Sequence, residues 1–347
     1  MIRNIIAAAA LALFGMSAAH AAPPIPLSIY AKPARLVTLP DGRKMNLFCL
    51  GAGSPTIMLD TGLGGFSASW YLTHATLAER TQTCAFDRAG LGFSDPGQMP
   101  RDATNEVSDQ RALLKAAGIR EPIVLVASSM AGLNARVFAS TYPREVAGLV
   151  LVDPSSPYQD RRLNEASPTR RREIEASPLR RCGLRLVSGE LKPGDVDYAA
   201  CVRPLPANYP DDLRAVILAR AGDLYRHQTV LSESDAMAGS SSQAVERTKR
   251  SLGAMPLIVL TATNTTRGNP LIPEAEQEAM AKVWSGMHDE IAVLSTRGEN
   301  RQIVSGHGIS AERPDAVVAA VDDVLAQIAA DRRGRIGFTK PPRGKGR

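Results

Sequence analysis

The chain contains 347 residues, of which 44% are hydrophobic and 22% are charged. These proportions are typical of a globular protein and exclude a collagen, a disordered chain and a short disulfide-rich scaffold. The net charge is +6, but residues 331–347 contain seven basic residues and one acidic residue, so the rest of the chain is neutral. We therefore expect residues 331–347 to form a flexible basic tail, and we expect no nucleic-acid partner.

Residues 1–21 have the features of a cleavable signal peptide. Arg3 supplies a positive charge, residues 5–16 form an apolar run of 12 residues, and Ala19-His20-Ala21 is a small-x-small cleavage site. A membrane span needs about 20 apolar residues, so this run is too short to be a span. The mature protein is therefore predicted to be exported, to a periplasm or outside the cell, without stable insertion into a membrane.

Short apolar strands alternate with helices along most of the remaining chain. Strands are predicted at 35–39, 45–50, 56–59, 82–86, 123–126, 148–152, 257–260 and 302–304. Helices are predicted at 70–80, at 105–117, from just after 129 to 142, at 274–287 and at 314–329. Because strands separated by helices form parallel sheets, residues 33–153 and 255–330 are predicted to form one α/β core. Its sheet should be mainly parallel and flanked by helices on both faces.

Residues 154–254 differ from this core. They contain arginine pairs and triplets among Glu, Ser and Pro, with polar helical patterns and no convincing core strand. We predict an inserted helical lid rather than a second domain. Its arginines are expected to form a solvated, salt-bridged face, and the alternative is that some of them select an anionic substrate.

Four cysteines suit an exported protein, because an even number in such a chain suggests disulfide bonds. Cys49 and Cys84 lie on predicted strands of the N-terminal half, whereas Cys182 and Cys201 share one later segment. Three pairings are compatible with four cysteines, and we predict Cys49–Cys84 and Cys182–Cys201. Metal binding is disfavoured, because neither a Cys-x-x-Cys motif nor clustered histidines accompany them.

One serine lies in a context typical of a nucleophile. After the strand at 123–126, the chain continues Ala127-Ser128-Ser129-Met130-Ala131, a small-x-Ser-x-small pattern that leads directly into a helix. The same pattern surrounds Ser67 and Ser240, but only Ser129 lies between a buried strand and a helix. Such a sharp strand-to-helix turn exposes the serine hydroxyl at the edge of the sheet, where the helix dipole favours negative charge.

With these motifs in this order, the chain resembles the α/β-hydrolase family over about residues 33–330. Residues 61–65 stand where that family has its His-Gly oxyanion loop, with Thr61 in place of the histidine. Residues 87–95 resemble the family's Asp-x-x-Gly-x-Gly-x-Ser loop, and residues 305–308 resemble its late Gly-His segment. In a parallel sheet these loops leave the same edge, where ligands bind.

The resemblance implies roles for individual residues. Ser129 is expected to be the nucleophile, His307 its general base, and the backbone N–H groups of Leu63 and Met130 the oxyanion donors. Three further histidines are expected to be ordinary surface or core residues: His74, His227 and His288.

Two residues compete for the third, acidic position. The family often places this acid after the strand at 257–260, but residues 261–266 contain no carboxylate. Asn264 could orient an imidazole there without balancing its charge. Asp153, at the end of the preceding strand, is favoured because a carboxylate stabilises the imidazolium that forms in catalysis.

These observations predict a serine hydrolase that cleaves small carboxylic esters through an acyl-enzyme, with no metal or other cofactor. Amides, thioesters and lactones are alternative substrates, since a fold does not define a substrate. A serine at position 129 argues against the aspartate-nucleophile chemistry of related dehalogenases and epoxide hydrolases. The alternatives are a peptidase or C–C hydrolase on the same scaffold, and a catalytically decayed binding protein with this fold.

Overall fold

The computed structural model describes residues 26–337 except 177, 193, 197, 199–209 and 222. The predicted signal peptide lies outside the described residues, as does the end of the predicted basic tail, residues 338–347. Cys201 also lies outside them, so its pairing with Cys182 stays a prediction.

The described residues form one eight-stranded sheet with the strand order β1-β2-β4-β3-β5-β6-β7-β8. The strands are β1 (Leu36–Thr38), β2 (Lys44–Leu50), β3 (Ile57–Asp60), β4 (Thr83–Phe86), β5 (Ile123–Ser128), β6 (Val146–Val152), β7 (Leu257–Ala262) and β8 (Gly298–Ile303). Strands β3 to β8 pair in parallel, while β1 and β2 pair antiparallel at one edge. The predicted α/β class with a mainly parallel sheet is confirmed.

Helices cover both faces of this sheet. They are α1 (His74–Ala78), α2 (Ala103–Ala117), α3 (Ala131–Thr141), α4 (Gln159–Ala166), α5 (Pro168–Ala176), α6 (Pro178–Val187), α7 (Asp211–Ala221), α8 (Leu224–Ala238), α9 (Ser240–Thr248), α10 (Glu274–Ala292), α11 (Ile309–Glu312) and α12 (Pro314–Gly337). Helices α2, α3 and α9 contribute to the apolar core on one face, and α1 and α12 to the core on the other. Strands β3 and β7 are buried at every position, and all of their apolar side chains belong to one of these two cores.

Several predicted element boundaries were wrong. The segment predicted as a helix at 70–80 forms a 3-10 helix, Ser67–Trp70, followed by the short helix α1, because hydrogen bonds to the third preceding residue tighten the chain there. Strand β8 begins four residues before the predicted strand at 302–304. Helix α12 continues to Gly337, so residues 331–337 of the predicted flexible tail are helical.

The predicted lid, residues 154–254, contains six helices among its described residues, α4 to α9. We refer to these residues as the inserted segment. Two of its arginines form surface ion pairs, Arg162 with Glu290 and Arg170 with Asp160, as expected for a salt-bridged face. Within the part of the chain that the structure describes, no helix has the length and apolar character needed to cross a bilayer.

The predicted Cys49–Cys84 disulfide is confirmed. The two cysteines lie directly opposite each other on the antiparallel strands β2 and β4. The bond therefore ties the antiparallel edge of the sheet to its parallel part. A disulfide agrees with the oxidising compartment that the signal peptide predicts.

His74 links stability to pH. The ring is fully buried, its Nδ1 accepts a hydrogen bond from the Tyr30 hydroxyl at 2.9 Å, and its Nε2–H donates to the Thr83 carbonyl at 3.0 Å. Burial lowers the pKa of His74 to about 4. In the unfolded chain the ring takes up its proton near pH 6.5, so protonation favours unfolding between these two pKa values.

We expect the free energy of unfolding to fall by up to about 3 kcal/mol through His74 as the pH is lowered from 6.5 to 4. In the variant His74→Gln, the side chain at position 74 no longer titrates in this range. The stability difference between the wild type and this variant, measured by urea unfolding, should therefore shrink on acidification. A difference that stays constant from pH 7 to pH 4 would contradict this assignment.

Candidate active site

The predicted site residues lie at the carboxyl ends of neighbouring parallel strands. Ser129 directly follows β5, Asp153 directly follows β6, and His307 lies four residues after β8. Strand β5 pairs with β6 in parallel, and β7 lies between β6 and β8. The three side chains therefore reach one edge of the sheet from loops that are far apart in sequence.

Ser129 occupies a strained turn between β5 and α3. Its φ of +53° lies in the left-handed region, which residues other than glycine rarely adopt. The Ser129 N–H donates to the Val152 carbonyl at 3.0 Å, which extends the pairing of β5 with β6 by one residue. Ala127 and Ala131 are completely buried, so the tight packing around this turn requires small side chains on both sides.

A chain of hydrogen bonds joins the three predicted residues. His307 Nε2 lies 2.8 Å from Ser129 Oγ, and His307 Nδ1 lies 2.6 Å from Asp153 Oδ2. An ionised carboxylate only accepts hydrogen bonds, so Nδ1 carries the proton and the lone pair of Nε2 faces the serine hydroxyl. The His307 side chain is 46% exposed, so a reactant from solvent can approach it.

The structure brings Asp153 to the histidine. The competing residue Asn264 is exposed, and its side chain accepts a hydrogen bond from the Thr263 hydroxyl at 3.3 Å. Asp153 is fully buried and has a φ of +43°, a second strained position in the site.

Three donors besides His307 surround the Asp153 carboxylate. Oδ1 accepts hydrogen bonds from the Ala262 N–H at 2.9 Å and from the Trp284 indole N–H at 2.8 Å, and Oδ2 accepts one from the Thr265 hydroxyl. Sequence reasoning missed Trp284 and Thr265. Thr265 lies in the segment 261–266, where no motif marks it, and Trp284 lies on α10 outside any motif.

His288 is buried behind Asp153. Its Nε2 lies 2.8 Å from the Pro154 carbonyl, its Nδ1 lies 2.7 Å from the Thr261 hydroxyl, and burial lowers its pKa. The ring is therefore neutral near pH 7. These contacts fit the expectation that His288 is a core residue.

The loop predicted to hold an oxyanion donor, residues 61–65, lies against the serine. A Cβ atom at Gly62 would lie 3.1 Å from Ser129 Cβ, so a side chain at position 62 would crowd the serine. The next residue, Leu63, is 42% exposed at the mouth of the site. Met130, the other predicted donor, is the N-cap residue of α3 and follows Ser129 directly.

The loop at 87–95 is organised around the buried carboxylate of Asp87. This carboxylate accepts hydrogen bonds from the Ser67 N–H, the Phe93 N–H and the Asn46 amide, at 2.8–2.9 Å. Gly92 has a φ of +51°, and a Cβ there would lie 2.2 Å from the Asp87 carboxylate. The motif therefore pairs an acid with a glycine that must pass close to it.

Beside the loop 61–65 lies a cluster of buried charged side chains, which we call the Arg88 cluster. Its members are Arg88, Arg101, Asp60, Glu106, Asp109 and Glu233. Arg88 contacts Asp60 at 2.9 Å and Glu233 at 2.8 Å, and it lies 3.2 Å from Glu106. Burial raises the pKa of Glu106 to about 8. This shift favours the protonated form of Glu106, and a proton there reduces the net negative charge of the cluster.

With this geometry established, comparison with known proteins gives the family. A family model described as the alpha/beta hydrolase fold matches residues 55–286. The chain belongs to the α/β-hydrolase family. Within the described residues of this α/β-hydrolase, no three His, Cys, Asp or Glu side chains are grouped as metal ligands would be.

Curated relatives of this α/β-hydrolase include two proteins of Bacillus subtilis (strain 168). Uncharacterized protein YqjL is 22% identical over 275 residues, which are 79% of this chain and 85% of YqjL. Uncharacterized protein YbdG is 27% identical over 121 residues, which are 34% of this chain and only 37% of YbdG.

Solved structures of several enzymes share the fold. A malate-bound thermophilic esterase from Thermogutta terrifontis has a TM-score of 0.53 and 20% identity, covering 85% of this chain and 98% of the esterase. An enol-lactonase and an epoxide hydrolase match as well, at 17% and 16% identity. At such identities the likeness shows the fold alone, so the bond that is cleaved must be argued from the site.

Proposed function

We propose that this α/β-hydrolase is a serine hydrolase that cleaves small carboxylic esters through an acyl-enzyme on Ser129. One observation carries the proposal: His307 bridges the Ser129 hydroxyl and the Asp153 carboxylate, at 2.8 and 2.6 Å. A serine hydroxyl is a weak nucleophile until a neighbouring base accepts its proton, and this arrangement supplies such a base. The predicted leader and the disulfide support an exported location for this enzyme.

In the acylation half of the reaction, Ser129 Oγ attacks the ester carbonyl carbon while His307 Nε2 takes the hydroxyl proton. Asp153 accepts the Nδ1–H bond and stabilises the resulting imidazolium. The carbonyl oxygen becomes an oxyanion, which binds the N–H groups of Leu63 and Met130. The tetrahedral intermediate collapses, the C–O bond to the alcohol breaks, and the imidazolium gives its proton to the departing alcohol.

Deacylation repeats these steps with water as the nucleophile. His307 takes a proton from a water molecule, whose oxygen attacks the acyl carbon bound to Ser129. The second tetrahedral intermediate releases the carboxylic acid, and the proton returns to Ser129 Oγ. Each group that moves a proton therefore regains its starting state, and no cofactor is consumed.

The proposal is tested by labelling with a fluorophosphonate probe, which forms a stable adduct only with an activated serine. We expect one adduct, located by mass spectrometry on Ser129, and hydrolysis of short p-nitrophenyl esters. Ser128→Ala, a change in the adjacent serine at the end of β5, is the matched control and should label normally. A folded protein that neither labels nor hydrolyses esters would instead be a binding protein with a hydrolase fold.

A further inference from the structure

Two oppositely charged side chains meet beside the loop that carries the proposed oxyanion donor. Arg88 is 2% exposed, and Glu233, on α8 of the inserted segment, is 1% exposed. Arg88 Nε donates a hydrogen bond to Glu233 Oε1 at 2.8 Å. Burying an ion pair costs desolvation energy, and neither side chain takes part in the proton transfers described above.

This ion pair holds both peptide groups that flank Leu63. The preceding carbonyl, that of Gly62, accepts a hydrogen bond from Arg88 Nη2 at 2.9 Å. The following N–H, that of Gly64, donates to Glu233 Oε2 at 2.9 Å. Arg88 therefore restrains the peptide group before Leu63, and Glu233 restrains the peptide group after it.

The hydrogen bond from Arg88 to the Gly62 carbonyl also determines the direction in which the Leu63 N–H points. The peptide between Gly62 and Leu63 is trans, so its C=O and N–H bonds point in opposite directions. Because the carbonyl points to Arg88, the N–H points away from Arg88. A Cβ built on Gly62 would lie 3.1 Å from Ser129 Cβ, so this peptide lies beside the proposed nucleophile. A guanidinium on the carbonyl also polarises the peptide and strengthens its N–H as a donor.

The hydrogen bond between Glu233 and the Gly64 N–H depends on the position of the inserted segment, because Glu233 lies on its helix α8. Helix α8 packs directly on the two site loops: a Cβ at Gly64 would lie 2.9 Å from the Val230 side chain, and one at Gly90 would lie 2.1 Å from Thr229 Oγ1. Glu233 lies one turn further along the same helix. Any movement of α8 away from the core would therefore withdraw Glu233 from Gly64.

We propose that Arg88 and Glu233 are positioning residues that orient the Leu63 N–H toward the oxyanion, and that docking of α8 on the core completes this donor. The proposal rests on the function proposed above and adds to it a regulatory role for the inserted segment. This segment then helps to determine the geometry of transition-state stabilisation.

The variant Glu233→Gln tests this role. In the wild type Glu233 Oε1 accepts from Arg88 and Oε2 accepts from the Gly64 N–H. In a glutamine one of these two oxygens is replaced by an NH₂ group, which donates and cannot accept, so one of the two hydrogen bonds is lost. Arg88 keeps its contact with the Asp60 carboxylate at 2.9 Å, so its charge retains a partner. Loss of a whole oxyanion donor costs about 10²-fold to 10³-fold in kcat, so we expect a misdirected donor to cost about 10-fold to 100-fold, with KM little changed.

The decisive measurement compares a p-nitrophenyl ester with its thionoester, in which sulfur replaces the carbonyl oxygen. Sulfur is a weak hydrogen-bond acceptor, so a poorly aimed N–H group penalises the oxygen substrate more. We expect the ratio of kcat for the ester to kcat for the thionoester to fall by about 5-fold or more in Glu233→Gln. A purely structural effect lowers both rates equally and leaves this ratio unchanged.

Asp109→Asn is the matched control. It removes an acid from the same cluster, and Asp109 contacts Arg101 and Arg43 rather than Arg88 or the loop. Its rate ratio should equal that of the wild type. Arg88→Lys is the second variant, used if Glu233→Gln does not fold. Arg88 donates to four acceptors, namely Asp60, Glu233 and the carbonyls of Thr61 and Gly62, and the three donors of one ammonium group cannot satisfy all of them, so the ratio should fall here too.

The outcomes separate the two proposals. A wild type that neither labels nor turns over esters overturns the proposed function, and the positioning role with it. If the wild type is active, and the folded Glu233→Gln or Arg88→Lys variant has the same ratio of ester to thionoester rates as the wild type, the positioning role alone is overturned.

Discussion

Replacement of Ser129 by alanine should lower kcat for a p-nitrophenyl ester by about 10⁴-fold to 10⁶-fold, because the acyl-enzyme cannot form without this oxygen. The residual rate comes from substrate binding and from the oxyanion donors. The change removes one hydrogen bond, that with His307 at 2.8 Å. The melting temperature should therefore stay close to that of the wild type. Steady-state kinetics and thermal unfolding of the same preparation check both expectations.

The double variant Ser129→Ala/His307→Ala provides the sharper test of this mechanism. Residues that act as one catalytic unit are non-additive, because once one is lost the other has no proton to accept or deliver. The double variant should therefore be no slower than Ser129→Ala. A double variant slower by the product of the two single losses would show that the two side chains act independently.

Replacement of Asp153 by asparagine should lower kcat by about 10³-fold to 10⁴-fold. The carboxylate accepts hydrogen bonds from four donors, among them the His307 ring and the Trp284 indole. In an asparagine an NH₂ group replaces one of the carboxylate oxygens, so it would face at least one of these hydrogen-bond donors and repel it. His307 would then adopt the wrong tautomer or turn away from Ser129. Kinetics on an activated ester measure this loss.

Asn264→Ala is the matched control for Asp153. This side chain is exposed, so its removal should change kcat by less than about 3-fold and leave stability nearly unchanged, as is usual for surface positions. The Asp153→Asn variant also buries an NH₂ group that faces other donors, which is expected to destabilise the protein. Its thermal unfolding must therefore be measured, so that the activity is calculated per folded molecule. The assignment of Asp153 as the third residue would be contradicted if Asp153→Asn kept most of its activity, or if Asn264→Ala lost most of its activity.

Local patterns predicted much of the core. Strands β5, β6 and β7 appear in the sequence as short, nearly continuous apolar runs, because both of their faces are covered by helices. The strand-to-helix context separated Ser129 from Ser67 and Ser240. Boundaries were less predictable where exposed residues dominate: β8 has no fully buried position, so its first half carries no apolar signal.

The sequence alone predicted the α/β architecture and singled out Ser129 and His307, because each of these predictions depends on residues that are neighbours along the chain. Only the tertiary structure shows that Asp153, and not Asn264, contacts His307, that Trp284 contacts the Asp153 carboxylate and that Glu233 contacts the loop that carries Leu63. These contacts join residues more than 100 positions apart. They arise from the pairing register of the parallel strands and the docking of α8, which no local periodicity encodes.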